Sequence, residues 1–529
     1  MTCEPADRQD KKTNLLDAIH DLRLTNHDRS RVRVSALDTL LFLFVLNLAL
    51  QPLVEPDFGW HLRTGLDLIE TGWRVPFTDP YSHTMPDWPW VEHAWLTDAV
   101  LGLLYSGIPS GGGLAVILVF AGMVAAAFFI SAQTAKAGST ARWLAVGIAA
   151  WVALPFLGAR IQVITWLGLA IVLFLWDRFL RGQVWPLWVL PGLFLLWANL
   201  HGGFTAGLFV VGLMIAGSVA VRVLILHRPR VASRFDEPVL PYRRIGYLTA
   251  ALAVSALVTL INPYGPRLYI EIYQSLTDRF MIESLHEWQA LSLERVAGVT
   301  YVGYLIVLGA AVVMWYRKVE PVRWLTLLAF LALSLRHWRN VPFFLIVSLP
   351  LCAEMVSAAV SAMATRVPAV EQHARRWGFG LTCAAALALV MLGSDHLERV
   401  VRSGLDPADF FKETEYPIEA VDWLHRHRPE LGARLYNDYG LGGFLLWWLP
   451  GEKIFIDGRM PAWRIGDRWI FYDYVALAHG DPPALGVLDK YRVEWGITAA
   501  GSVLDRAIQQ APGWRSVYHD HKVRIFARR

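Results

Sequence analysis

The chain has 529 residues, of which 55% are hydrophobic and 24 are Trp, with a mean hydropathy of +0.37 and a net charge of +4. That composition excludes an ordinary soluble enzyme, and its basic residues collect in short segments between apolar runs, a topology signal and not a nucleic-acid footprint. Cys3, Cys352 and Cys383 are its cysteines, the last two inside apolar runs, which gives no basis for a disulfide framework or a cysteine-based zinc site.

Residues 1–36 are polar and charged, unlike a cleavable signal peptide, and read as a cytoplasmic N-terminal segment. Crossing about 30 Å of hydrocarbon takes roughly 20 mostly apolar residues. Runs at 37–54, 113–133, 142–158, 161–179, 184–199, 202–226, 246–262, 299–316, 321–335, 341–360 and 376–394 give about eleven candidate transmembrane helices. The apolar stretch 95–108 is shorter and reads as a helix lying at the membrane interface.

Lys and Arg in short loops accumulate on the cytoplasmic side. With 95–108 kept out of the bilayer core, Arg29, Arg31, Arg33, Lys136, Arg142, Arg178 and Arg181 fall inside. So do Arg222, Arg228, Arg230, Arg234, Arg243, Arg244, Arg317, Lys318, Arg323, Arg366, Arg375 and Arg376. A spanning 95–108 would move the densest arginine run outside, so the interfacial reading is preferred. The expected fold is mainly α: a polytopic helical membrane bundle over 37–394, with a large first external loop at 55–112 carrying two interfacial helices. Residues 395–529 hold no run long enough to span. They alternate β-like runs (Ala433 to Tyr436, Lys453 to Ile456, Trp495 to Ala499, Val523 to Ala527) with helical stretches, predicting a soluble extracytoplasmic α/β domain.

The external pieces are 55–112, 263–298 and everything after 394, and function is expected there. In Glu55 to Trp95, Asp57 and His61 stand four residues apart, on one face of a helix starting near Pro56. Leu62, Leu66 and Ile69 make the stripe of a helix lying flat on the membrane. Pro76, Pro80, Pro86 and Pro89 then break regular structure and return Glu92 and His93 to the surface. Converging carboxylates and imidazoles serve as general bases or hold a divalent cation such as Mg²⁺ or Mn²⁺, for which Asp57, His61, Glu92 and His93 could supply ligands, with Asp57, Glu92 and His93 the first candidates. The plainer alternative is a solvated loop whose tryptophans anchor it in the headgroups.

Arg336 and Arg339, at the external end of a span, offer planar forks for a phosphate, or else mark a snorkelling helix end. His201, between Asn199 and the pair Gly202 and Gly203, is a polar residue at a costly depth, read equally as a site residue or as a histidine bonded to a neighbouring helix. Asn262 to Gly265 reads as a cap and turn. Asn437, Asp438, Asp457 and Arg459 stand at strand ends or turns, where local hydrogen bonding is the first explanation and acceptor selection the second.

The loop's order is an acid, Trp60-His61, an interfacial helix, Pro76-x-x-Asp79-Pro80-Tyr81-Ser82, Trp90-Val91-x-His93 and a second interfacial helix. It resembles bacterial membrane proteins of the C-type glycosyltransferase superfamily, which includes protein O-mannosyltransferases, aminoarabinose transferases and oligosaccharyltransferases. LWANLHGGF (196–204), INPYG (261–265), RHWRNVPFF (336–344), YNDYGLGGFLLWWLP (436–450) and FIDGR (455–459) agree with it. The resemblance implies a transferase in the bacterial inner membrane, N-terminus cytoplasmic, taking a sugar from a polyprenyl-phosphate donor. The acceptor would be a glycan, a lipid or a protein at the extracytoplasmic face, with Asp57 as general base. One departure stands out: an expected His-Glu-Trp-Leu reads Glu92-His93-Ala94-Trp95-Leu96. His61, Glu92, His93, His201, Arg336 and Arg339 are the expected substrate-binding residues. The competing class is a non-catalytic scaffold or transporter in envelope polysaccharide assembly. A transporter would place ionisable groups near the bilayer midplane, whereas these cluster at one surface.

Overall fold

The computed structural model describes residues 36–227, 239–315, 321–366, 394–480 and 484–529, with the isolated positions 380 and 384. Among the described residues, five helices are long and apolar enough to cross a membrane: Gly112–Gln133, Ser139–Phe156, Val163–Leu180, Phe204–His227 and Trp338–Ala362. Ala36–Ala49, Pro186–Leu200 and Val296–Ala310 are shorter apolar helices. Tyr242–Val258 and Pro321–Arg336 are helical where the remaining described runs were expected. Among the described residues the expected spans are helices, of which five meet both the length and the apolarity of a membrane crossing. The run at 376–394 and the basic residues Arg29, Arg31, Arg33, Arg228, Arg230, Arg234, Arg317, Lys318, Arg375 and Arg376 lie outside the described residues, as does nearly all of the segment 1–36.

The bundle has two chemically distinct ends. One carries Arg142 paired with Asp38 at 3.2 Å, Arg181 with Asp177 at 2.9 Å, and Arg323 with Glu354 at 2.9 Å. The opposite end carries the loop 55–112. Here Phe58–Glu70 (α1) and Trp95–Gly107 (α2) form where both interfacial helices were expected. They cross at Gly65 and Gly102, where a Cβ on either residue would overlap the other helix's backbone.

The C-terminal residues form a four-stranded sheet in which Leu435–Asn437 (β1) pairs parallel with Trp495–Ala499 (β2). Val523–Arg528 (β4) pairs antiparallel with β2 and with Trp514–His519 (β3). The strand at 514–519 is missing from the sequence reading, since its burial does not follow a clean alternation. The expected strand at 453–456 is corrected: Ile454 instead bridges Ser82 of the loop 55–112. The Ile454 N–H donates to Tyr81 O at 2.9 Å, and the His83 N–H donates to Ile454 O at 3.2 Å.

That bridge reflects a shared core. Trp60, Tyr81, Met85, Trp88 and Trp90 pack into one hydrophobic cluster with Leu435, Ile454, Phe455, Trp463, Trp495 and Phe526. Most loop tryptophans are therefore not headgroup anchors; Trp60 is 4% exposed and Trp90 3%. A small domain with a short sheet gains apolar mass by borrowing it.

Candidate functional site

The two parts are latched at Arg459. Its guanidinium bonds Asp79 and Asp457, each at 2.8 Å, with a side chain 2% exposed. It lies 4.7–5.9 Å from the centroids of Trp60, Tyr81, Trp90 and Trp463. Asp79 also accepts the backbone N–H groups of Tyr81 at 3.1 Å and Ser82 at 3.0 Å, which explains the Asp-Pro-aromatic-Ser spacing as a turn built around one carboxylate. Asn437 and Asp438 are likewise spent on structure. Asn437 Oδ1 accepts the Phe455 N–H at 2.9 Å, and Asp438 accepts the Ala499 N–H at 2.7 Å.

This latch sets Gly458 against Asp57. A Cβ at residue 458 would overlap the Asp57 carboxylate, so the glycine is required by close approach. Asp57 is the N-cap residue of α1 and half-buried, and its Oδ1 accepts the Trp60 Nε1–H at 3.1 Å. It lies within electrostatic reach of His61, Arg339 and Tyr439. Arg339 is half-buried, its guanidinium 4.3 Å over the Trp288 ring, with no ion pair among the described residues. Arg336 is exposed at the last turn of its helix, and no hydrogen bond or ion pair joins it to these groups among the described residues.

One turn along α1, the fully buried His61 places Nδ1 2.7 Å from Asp98 Oδ1. Glu92 is 1% exposed and Asp98 0%. Glu92 Oε1 accepts the Ala94 N–H at 2.9 Å, while Glu92 Oε2 and Asp98 Oδ2 have no hydrogen-bond partner among the described residues. Burial drives both carboxyls well above the usual carboxylate range. It also holds His61 down at about 3. The ligand atoms that converge to within 4.8 Å are those of His61, Glu92 and Asp98; Asp57 and His93 are not in that group.

His93 faces His201 with ring centroids 5.8 Å apart. His201 Nδ1 lies 2.8 Å from the Thr165 hydroxyl and accepts the Gly203 N–H at 3.2 Å, so a neutral ring carries its proton on Nε2. Burial lowers His93 to about 3, helped by His61 and Arg339, and lowers His201 well below its ordinary value. These three imidazoles are neutral at pH 7 and act as hydrogen-bond partners or ligands, not as cations. Asn199 is structural: its Oδ1 accepts the Trp95 Nε1–H at 2.9 Å and its Nδ2 donates to Ile261 O at 2.9 Å.

Several residues at this end were not singled out from sequence. Arg160 bridges Glu55 at 2.6 Å and Glu287 at 3.1 Å. Glu271, half-buried and within electrostatic reach of Glu92, is pushed up to about 7 by burial. Asp98 had a visible signal, being the one charge in the apolar helix WLTDAVLGLLYSG.

No family model matches the chain, and no curated protein matches it. Among solved structures it is similar to an oligosaccharyltransferase of the archaeon Archaeoglobus fulgidus in several states. With a tethered acceptor peptide containing the NVT sequon, the TM-score is 0.48 at 11% identity, over 87% of this chain and 68% of that one. With an inhibitory peptide and a dolichol-phosphate it is 0.49 at 10% identity, over 87% and 69%. The apo form gives 0.47 at 11%, over 88% and 69%. Likeness at this level says nothing about what this chain binds.

Proposed function

We propose that the chain is a membrane glycosyltransferase that moves a sugar from a polyprenyl-phosphate donor to an acceptor at the extracytoplasmic face, with Asp57 as general base. The observation that carries the reading is the juxtaposition of a half-buried carboxylate and a half-buried arginine without an ion pair, at the bundle end opposite the basic helix termini. An acceptor hydroxyl is a poor nucleophile. Asp57 takes its proton while the acceptor oxygen bonds the anomeric carbon and the carbon–oxygen bond to the phosphate breaks. The electron pair passes to the phosphate oxygen, where Arg339 meets the charge with a planar fork that Arg336, exposed, supplies less directly. The Nε2–H of His201, with His93 beside it, offers a neutral donor for a sugar hydroxyl or a phosphate oxygen.

The test is turnover of Asp57→Asn in proteoliposomes with polyprenyl-phosphate sugars. A loss of about 10²–10⁴-fold in kcat with unchanged melting is expected for a lost base. Wild-type turnover in that variant would reject Asp57 as the base, and a wild-type chain that transfers no sugar would leave the scaffold reading standing. Placement in a bacterial inner membrane, loop outward, is checked by labelling a cysteine introduced at Trp73, which is 51% exposed, with an impermeant reagent added to intact cells.

A further inference from the structure

We infer that His61, Glu92 and Asp98 form a binding site for one divalent transition-metal ion, Mn²⁺ or Zn²⁺, built beneath the Asp57 surface and separate from it. Their ligand atoms already lie within 4.8 Å of one another. Bonds of about 2.0–2.2 Å to each would need the three to close around the ion, with the proton of the His61–Asp98 hydrogen bond and any carboxyl protons released to solvent. One imidazole nitrogen and two carboxylate oxygens favour a borderline ion over Mg²⁺, which prefers oxygen and its own water.

Two independent observations point to a cation. Glu92 Oε2 and Asp98 Oδ2 are buried without a hydrogen-bond partner among the described residues, and orphaned buried acceptors are costly. The charge balance is also open. Among the described residues no Arg or Lys lies within ion-pair distance of either carboxyl, and the partner that Asp98 does have is a histidine. Two carboxyls sealed from water must either keep their protons or share a positive ion. A bound ion would satisfy both orphan oxygens at once, and it would brace α1 against α2 where the chain presents Asp57.

This inference stands apart from glycosyl transfer, because metal content and melting are read without substrate. The full chain is purified in detergent, stripped with a chelator, reloaded with Mn²⁺ or Zn²⁺, and assayed by elemental analysis and thermal melting. One equivalent per chain is expected, with a melting temperature that falls by about 5 °C on stripping and returns with either ion. Mg²⁺ at the same concentration should restore much less. Glu92→Gln and Asp98→Asn should each weaken binding at least about tenfold, and Asp57→Asn should keep its metal. Background metal in the wild type after loading, with melting unmoved, overturns the site and leaves a proton-sharing carboxyl pair. Loss of metal in Asp57→Asn overturns its separation from the catalytic surface.

Discussion

At the scale of single residues, the position that most constrains Asp57 is not in its own loop. Gly458 touches the carboxylate so closely that Gly458→Ala must turn it away or push the two parts apart. Turnover should fall about 10- to 100-fold, since a misplacement of about 1 Å costs that much, with a smaller effect on melting. Arg339→Lys keeps the charge but loses the fork, and should raise KM for the lipid donor more than it lowers kcat. Glu271 gives a pH signature with a definite sign. Its folded-state value near 7 lies above the ordinary 4.5, so the protonated form favours folding. That contribution is complete below about 4.5 and is lost as pH rises to about 7. Glu271→Gln, which mimics the protonated form throughout, should melt like wild type at pH 4.5 and about 2 °C higher at pH 8. The sequence exposed Asp57, Glu92, His93 and His201 because each is an ionisable group in a suspicious place. It hid the pairing of His61 with Asp98, since nothing in a spacing of 37 residues reports that two helices cross at a pair of glycines.

At the scale of elements, legibility followed the kind of force that forms each one. Helices made by long apolar runs were readable within a few residues, as with Gly112–Gln133 for 113–133 and Val163–Leu180 for 161–179. Three strands were readable as well, Trp495–Ala499 among them, but the run 453–456, of similar composition, lends Ile454 to Ser82 of the loop and forms no strand of the main sheet. The motifs Asp-Pro-Tyr-Ser and Phe-Ile-Asp-Gly-Arg, read separately, are two halves of one latch. Arg459→Met would leave Asp79 and Asp457 buried with their cation gone. Breaking a buried pair in this way costs about 3–5 kcal/mol. Denaturation in mild detergent should show that loss, and Asp79→Asn together with Asp457→Asn in the Met variant should recover part of it.

At the scale of the whole molecule, the boundary expected near 395 divides the chain in sequence more cleanly than in packing. The residues beyond it carry their own sheet. Yet Trp60, Tyr81, Met85, Trp88 and Trp90 belong to their core, and the Arg459 cage is mostly walled by side chains of the loop. Expressed alone, 395–529 would expose the surfaces of Ile454, Phe455 and Trp463 that the loop covers, and would leave Arg459 without Asp79. Burial of each large side chain contributes on the order of 1.5–3 kcal/mol, so losing several is comparable to the about 5–15 kcal/mol that holds a typical domain together. The isolated fragment is therefore expected to lack a cooperative melt and to bind a hydrophobic dye. A fragment carrying residues 76–94 joined by a flexible linker should regain the transition. A sharp, reversible melt of 395–529 by itself would show that the loop rests on a finished domain instead of completing it. Asp57 would then owe its position to the membrane helices alone.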